Sequence, residues 1–171
     1  SKQKAAEFTS KPVWVASSTV ATMTFEDTLP RGLAGPAPRG PSLHTEAKAA
    51  VTGALERAGI GPKDVSFTEL QDNTCYYELA FPEEWGLCQP GEAERLVEAG
   101  ETTPTGRMPI NPSGGFVSFG EATTAMGVFQ IAELTWQLRG QSGARQVPDA
   151  KVGLAQTLGL GGNATAAVLK R

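Results

Sequence analysis

The stretch "SLHTEAKAAVTGALERAGIGPKDVSFTELQD", Ser42 to Asp72, decides the fold class. Ala47, Ala50, Val51, Ala54, Leu55 and Ala58 recur at helical spacing and mark one apolar helix face. Ser42 is placed to cap that helix and Gly59 to end it. The many alanines on the face imply close packing on a sheet. A short β-rich run, "DVSFTEL", follows the glycine turn and stops at Leu70. The polar trio Gln71-Asp72-Asn73 comes next, at a strand end, where layered α/β proteins place their sites.

Working outward gives the same pattern. "KPVWVASSTVATM" predicts a strand from Val13 to about Met23. "QDNTCYYELAFPEEWGLC" (71–88) reads as an irregular helix that Pro82 interrupts or restarts. "PGEAERLVEAG" (90–100) reads as a short helix. In "VFQIAELTWQLRG" (128–140), Val128, Ile131 and Leu138 form the expected inner stripe and Gly140 the stop. "AKVGLAQTLG" and "NATAAVLKR" read as two strands around a Gly-rich turn. The order strand, helix, strand, helices, helix, strand, strand predicts an α/β fold, a mixed sheet layered with helices. Two Pro/Gly-rich segments, 29–41 and 101–115, are expected to be long loops.

Bulk properties narrow the function classes. At 171 residues the chain suits one domain, spanning 1–171. A net charge of −3 with scattered Lys and Arg offers no basic face for nucleic acid. No apolar run approaches the roughly 20 residues of a membrane span. "SKQKAAEF" lacks the apolar core of a signal peptide, so a cytoplasmic location is expected. Cys75, Cys88 and the single His44 lack metal-ligand spacing, and neither a metal nor a covalently bound cofactor is expected.

Several segments together carry a resemblance. "RAGIGPKDVSFTELQD", "WGLCQPGEAERLVEAG", "GRMPINPSGG", "IAELTWQLRG", "ARQVPDAKVGLAQTLGLGG" and "AAVLKR" occur in order along nearly the whole chain. They resemble the C-terminal half of the thiolase superfamily, in the branch of sterol-carrier-protein-type thiolases and lipid-transfer-protein relatives. The resemblance implies a thiolase-like half fold and a coenzyme A ester, acyl- or steroid-linked, as substrate or ligand. Such enzymes make or break a carbon–carbon bond beside a thioester. A nucleophilic Cys of the N-terminal half carries the acyl group, a His in Gly-His-Pro activates it, and a Cys in His-Asp-Cys-Phe moves the α-carbon proton.

This sequence departs from both motifs. The His-Asp-Cys-Phe position reads Gln71-Asp72-Asn73-Thr74. Gln71 retains a donor for an oxyanion, whereas Asn73 has no proton to exchange near neutral pH. Cys75 lies two positions on and reads as a packing residue. The Gly-His-Pro position reads Gly120-Glu121-Ala122. Glu121 is either a general base or an acidic residue in the first turn of a helix. "GEA" also resembles the lipid-transfer-type aldolases of steroid side-chain degradation, which use Tyr groups. Here Tyr76 and Tyr77 are the two tyrosines, expected in aromatic packing.

The candidate catalytic residues are therefore Glu121, Gln71 and Asn73. Gly114, Gly115, Gly120, Gly161 and Gly162 are candidates for close backbone approach to a substrate. Ordinary thiolase activity is not expected of this chain alone, and a non-catalytic lipid- or CoA-ester-binding module is the competing reading. The resemblance also implies a protein partner supplying the N-terminal half, or self-association over an exposed apolar surface.

Overall fold

The computed structural model describes residues 2–23, 45–122, 124–159 and 162–171. Ser42, His44, the 29–41 segment, Thr123 and Gly161 lie outside them. After a short helix α1 (Lys2–Phe8), strand β1 (Trp14–Thr22) leads to helix α2 (Thr45–Ala58) and strand β2 (Phe67–Glu69). Helices α3 (Tyr76–Glu84), α4 (Ala93–Glu98), α5 (Gly115–Phe119) and α6 (Met126–Arg139) follow. Strands β3 (Val152–Gly159) and β4 (Asn163–Lys170) close the chain.

The four strands form one mixed sheet in the order β1-β4-β3-β2. β4 runs antiparallel to both β1 and β3. β2 runs parallel to β3, with Phe67 opposite Gly153 and Glu69 opposite Ala155. This is the expected α/β architecture.

Alternation along the strands sends alternate side chains into two separate cores. On one face Leu154, Ala164, Ala166 and Val168 meet Ala47, Ala50, Val51 and Ala54 of α2. The alanines bring the helix backbone close enough for direct bonds from the sheet. Ser17 Oγ donates to Ala54 O and Thr19 Oγ1 to Ala50 O, both at 2.7 Å. Burying these hydroxyls is tolerable because each has an acceptor. Gly59, in the left-handed region at φ 65°, ends α2 as expected. Ile60 N–H then bonds back to Leu55 O at 3.1 Å.

On the other face Phe67, Ala155 and Leu169 meet Leu134 and Leu138 of α6. Contact is tight at Gly153, where a Cβ would stand 2.8 Å from both Leu134 Cγ and Phe67 Cζ.

The expected stripe on α6 is only partly correct. Leu138 is buried and Ile131 half-buried against this core, but Val128 is 69% exposed. The inner face instead carries Gln130, Glu133 and Gln137 alongside Leu134 and Leu138. Those polar groups are satisfied in place. Gln130 Nε2 donates to Gln156 O at 2.8 Å, and Gln137 Oε1 accepts from Val147 N–H at 2.8 Å.

Helix α3 runs through Pro82 rather than breaking there. Tyr77, Phe81 and Trp85 stack one turn apart with ring centroids at 4.6 and 4.9 Å. Their packing offsets the bond that Pro82 cannot make. The 101–115 segment is ordered. Thr68 N–H donates to Pro109 O and Asn111 N–H to Thr68 O, at 3.0 and 2.7 Å. A parallel bridge between Thr68 and Ile110 therefore extends the sheet beyond β2.

Candidate functional site

The end of β2 and the segment Asn111–Val117 form one interlocked unit. Asn111 sits in the left-handed region at φ 44°, a conformation Asn adopts more readily than most residues. Its Oδ1 accepts from Leu70 N–H at 2.8 Å, and its Nδ2 donates to Glu78 Oε1 at 2.7 Å. Glu78 is raised above the ordinary carboxylate range, first by desolvation, against the lowering effect of the Asn111 bond.

Two buried carboxylates hold the rest of the segment. Glu69 accepts from Ser113 twice, from N–H at 3.0 Å and from Oγ–H at 2.7 Å. Ser113 Oγ in turn accepts from Gly115 N–H at 3.1 Å. Burial is the largest influence on Glu69 and pushes its carboxyl up to about 7, despite the two bonds from Ser113. Asp72 accepts from Phe116 N–H at 2.6 Å and, more weakly, from Val117 N–H at 3.4 Å. It thereby caps the first turn of α5. Gly115 makes this possible: its φ is 65°, and a Cβ there would lie 2.0 Å from Asp72 Oδ2. The space beside Gly115 is filled by the chain's own carboxylate.

Gln71 is buried beside this unit. Its N–H donates to Gln156 Oε1 at 3.3 Å, and its Oε1 accepts from Leu158 N–H at 2.6 Å. Because a backbone donor faces the amide oxygen, the Nε2 donors must be turned the other way.

The remaining candidates are more open. Asn73 is exposed, as are Glu121 and Gly120. Glu121 is not in the first turn of a helix. It lies in the connection between α5 and α6, and α6 starts at Met126. Cys75 is exposed at the start of α3, so it is not a packing residue, whereas Cys88 is buried. Burial, with Glu83 and Glu92 nearby, pushes the Cys88 thiol up to about 11, which makes it inert near neutral pH. Gly114, at φ 96°, opens the turn before α5. Gly162 belongs to the turn before β4, at φ 75°. Glu69, Asn111 and Ser113 escaped the sequence reading as site residues, and Asp72 was read only as part of the polar trio at the strand end. One available signal was Glu69 itself, a charge inside the apolar run "VSFTEL".

A cavity of about 380 Å³ opens between α5 and α6. Phe119, Phe129 and Trp136 wall it, with Glu69, Glu133 and Arg145 at its polar side. The rings of Phe119 and Phe129 meet edge to face at 6.1 Å. Arg145 Nη2 bonds to Glu133 Oε2 at 2.9 Å. No cluster of His, Cys, Asp and Glu suited to a metal ion occurs among the described residues. No described helix is long and apolar enough to cross a membrane.

The fold and the interlocked segment define a layered α/β domain with a polar site at the end of its parallel strand pair. Comparison with known proteins then places it. Residues 39–171 match the family model "Thiolase C-terminal domain-like", and the chain belongs to that family. It is 49% identical over 117 residues to sterol carrier protein 2 of Rattus norvegicus, covering 68% of this chain and 21% of that protein. It is 34% identical over 172 residues to an acetyl-CoA acetyltransferase of Methanothermobacter thermautotrophicus, covering 96% of this chain and 40% of that one. The chain thus spans well under half the length of these relatives. A solved structure described as "Ltp2-ChsH2(DUF35) aldolase" shares the fold, with a TM-score of 0.79 and 24% identity, over 98% of this chain and 42% of that chain.

Proposed function

We propose that this chain is the C-terminal part of a thiolase-type acyl-CoA enzyme of lipid or steroid metabolism. The reaction is cleavage of a carbon–carbon bond beside a CoA thioester, by a retro-aldol or thiolase-type route. The observation that supports it most is the oriented amide of Gln71 next to a segment held by Glu69 and Asp72. A donor fixed before the reaction stabilises a developing oxyanion without reorganisation. Gln71 would take that role, Asn73 would orient the ester or a water, and Glu121 would act as base once a partner covers it. Gly114, Gly115, Gly120, Gly161 and Gly162 would shape the backbone around the ester.

The partner is the other half of such an enzyme, carried on the same or another polypeptide. The outer face of α6 supports this reading. Val128 is 69% exposed, Phe129 and Trp136 47% each, and Phe119 of α5 adjoins Phe129. Contiguous aromatic surface of this kind marks an interaction site.

The test uses the complex purified from its source. Its native mass should exceed 17.9 kDa, and it should cleave a β-hydroxyacyl-CoA or acetoacetyl-CoA. Gln71→Leu should lower kcat, and Glu121→Ala should lower it further if Glu121 is the base. Neither cleavage nor calorimetric binding of any CoA ester would overturn the proposal. A second reading, a non-catalytic CoA-ester-binding module, is favoured by one observation: Asn73 and Glu121 stand in solvent at the two positions where the family places its acid/base groups. It predicts binding of the ester without cleavage.

A further inference from the structure

We propose that the cavity between α5 and α6 is a socket for an arginine or lysine side chain of the polypeptide that covers α6, with Glu69 as its counter-ion. The proposal rests on the partner reading above and goes further by giving the partner's chemistry at one point.

The cavity combines apolar walls with an acidic floor. Phe119, Phe129 and Trp136 form the walls, and Glu69, Glu133 and Arg145 lie at the polar side. The charges there do not balance. Arg145, the cation among the described lining residues, is bonded to Glu133 at 2.9 Å, and the second Glu133 oxygen accepts from Gln137 Nε2 at 2.9 Å. Asp72, which also faces Glu69, is engaged by the backbone N–H groups of α5. Glu69 is 1% exposed, and both of its oxygens are bonded to the neutral donors of Ser113. Arg145 acts on Glu69 through its charge, but its direct ion pair is with Glu133, so Glu69 is a buried carboxylate with hydrogen bonds and no directly bonded cation among the described residues.

Such a group is costly to ionise, and a cation brought beside it offsets that cost. A lysine or arginine has the complementary shape: an apolar stem for the walls and a charged tip for the floor. Aromatic walls also attract the cation directly and favour a guanidinium. The cavity opens on the same apolar surface assigned to the partner, so a docked polypeptide would carry the side chain in.

The test needs no identified partner. Propylguanidinium serves as a probe of the arginine tip and propylurea as its neutral isostere. Both are titrated into the 171-residue chain while the Trp136 indole and the carboxyl-labelled glutamates are followed by NMR. Propylguanidinium should shift Trp136 and bind about tenfold more tightly at pH 8 than at pH 6, because a carboxyl titrating near 7 is mostly ionised only above that pH. Propylurea should show no such ratio. Glu69→Gln, with its folding checked by the amide fingerprint, should abolish the ratio. Equal binding of the two probes, a pH ratio unchanged in Glu69→Gln, or no binding of propylguanidinium at millimolar concentrations would overturn the socket. The partner reading fails on a different result, a native mass equal to the lone chain, so the two failures can be told apart.

Discussion

Replacing Glu69 by Gln should make the stability of the chain less dependent on pH, and the size of the effect can be worked from the fold. The carboxyl titrates at about 7 in the folded chain against an ordinary value of 4.5, because burial disfavours its charge. Between those limits the folded state holds a proton that the unfolded state releases. Its stabilising contribution is fully present below 4.5 and is lost as pH rises through about 7. At ~1.4 kcal/mol per pH unit the whole effect is about 3 kcal/mol. Glutamine cannot accept from both donors of Ser113, and the lost bond costs about 1 kcal/mol. The two stability curves should therefore cross. At pH 4 the variant should be the less stable by about 1 kcal/mol, near pH 5 the two should be about equal, and at pH 8.5 the variant should be the more stable by about 2 kcal/mol. For a chain of this size the swing is about 6–12 °C in Tm. Thermal melts of both proteins across this range provide the assay. Glu78 is also raised, but it is common to both proteins and cancels in the difference. A Tm difference that stays constant from pH 4 to 8.5 would refute the reasoning.

Other substitutions probe separate parts of the structure. Gly115→Ala puts a Cβ 2.0 Å from Asp72 Oδ2 at a left-handed φ; urea unfolding should show a loss of about 3 kcal/mol or more. Asn111→Ala strands the buried Leu70 N–H and should cost about 1–3 kcal/mol by the same measurement. Val128→Glu, on the open face of α6, should change the stability of the isolated chain by less than about 0.5 kcal/mol while abolishing co-purification of the partner. Alkylation by iodoacetamide under native conditions should modify Cys75 and spare buried Cys88, as mass spectrometry of the peptides would read.

How far the fold was legible in the sequence depended on which residues made the contacts. Helix α2 was readable because alanines and aliphatics carry its buried face at a clear period. Helix α6 was misread at Val128 because hydrophobic periodicity assumes that buried means apolar. Its inner face instead holds Gln130, Glu133 and Gln137, each bonded to groups from distant segments. Partners such as Gln156 and Arg145 leave no local trace on the helix. The site shows the same limit. Gln71 stood out because it follows a recognisable strand end, and the Gly114-Gly115 pair because it is Gly-rich and precedes a helix. The bonds from Ser113 and Phe116 to Glu69 and Asp72 each span 44 residues. No spacing rule links positions that far apart.

This division of labour bears on the altered motif positions. Glu69 and Asp72 fix the 111–117 segment through backbone and hydroxyl donors, and Asn111 ties it to β2. Asn73 and Glu121, both in solvent, have no place in that set of bonds. Changing residue 73 or 121 therefore leaves the bonds that hold the segment in place. The reverse holds for Asp72, whose loss frees the backbone N–H groups of Phe116 and Val117 before any reaction is considered. Under the proposed function, substitutions at 73 and 121 should act on kcat with the fold intact, whereas Asp72→Ala should lower stability and activity together. Far-ultraviolet melts measured alongside turnover on a β-hydroxyacyl-CoA separate the two classes. A Tm loss at Asn73→Ala as large as that at Asp72→Ala would mean that residue 73 is part of the scaffold after all.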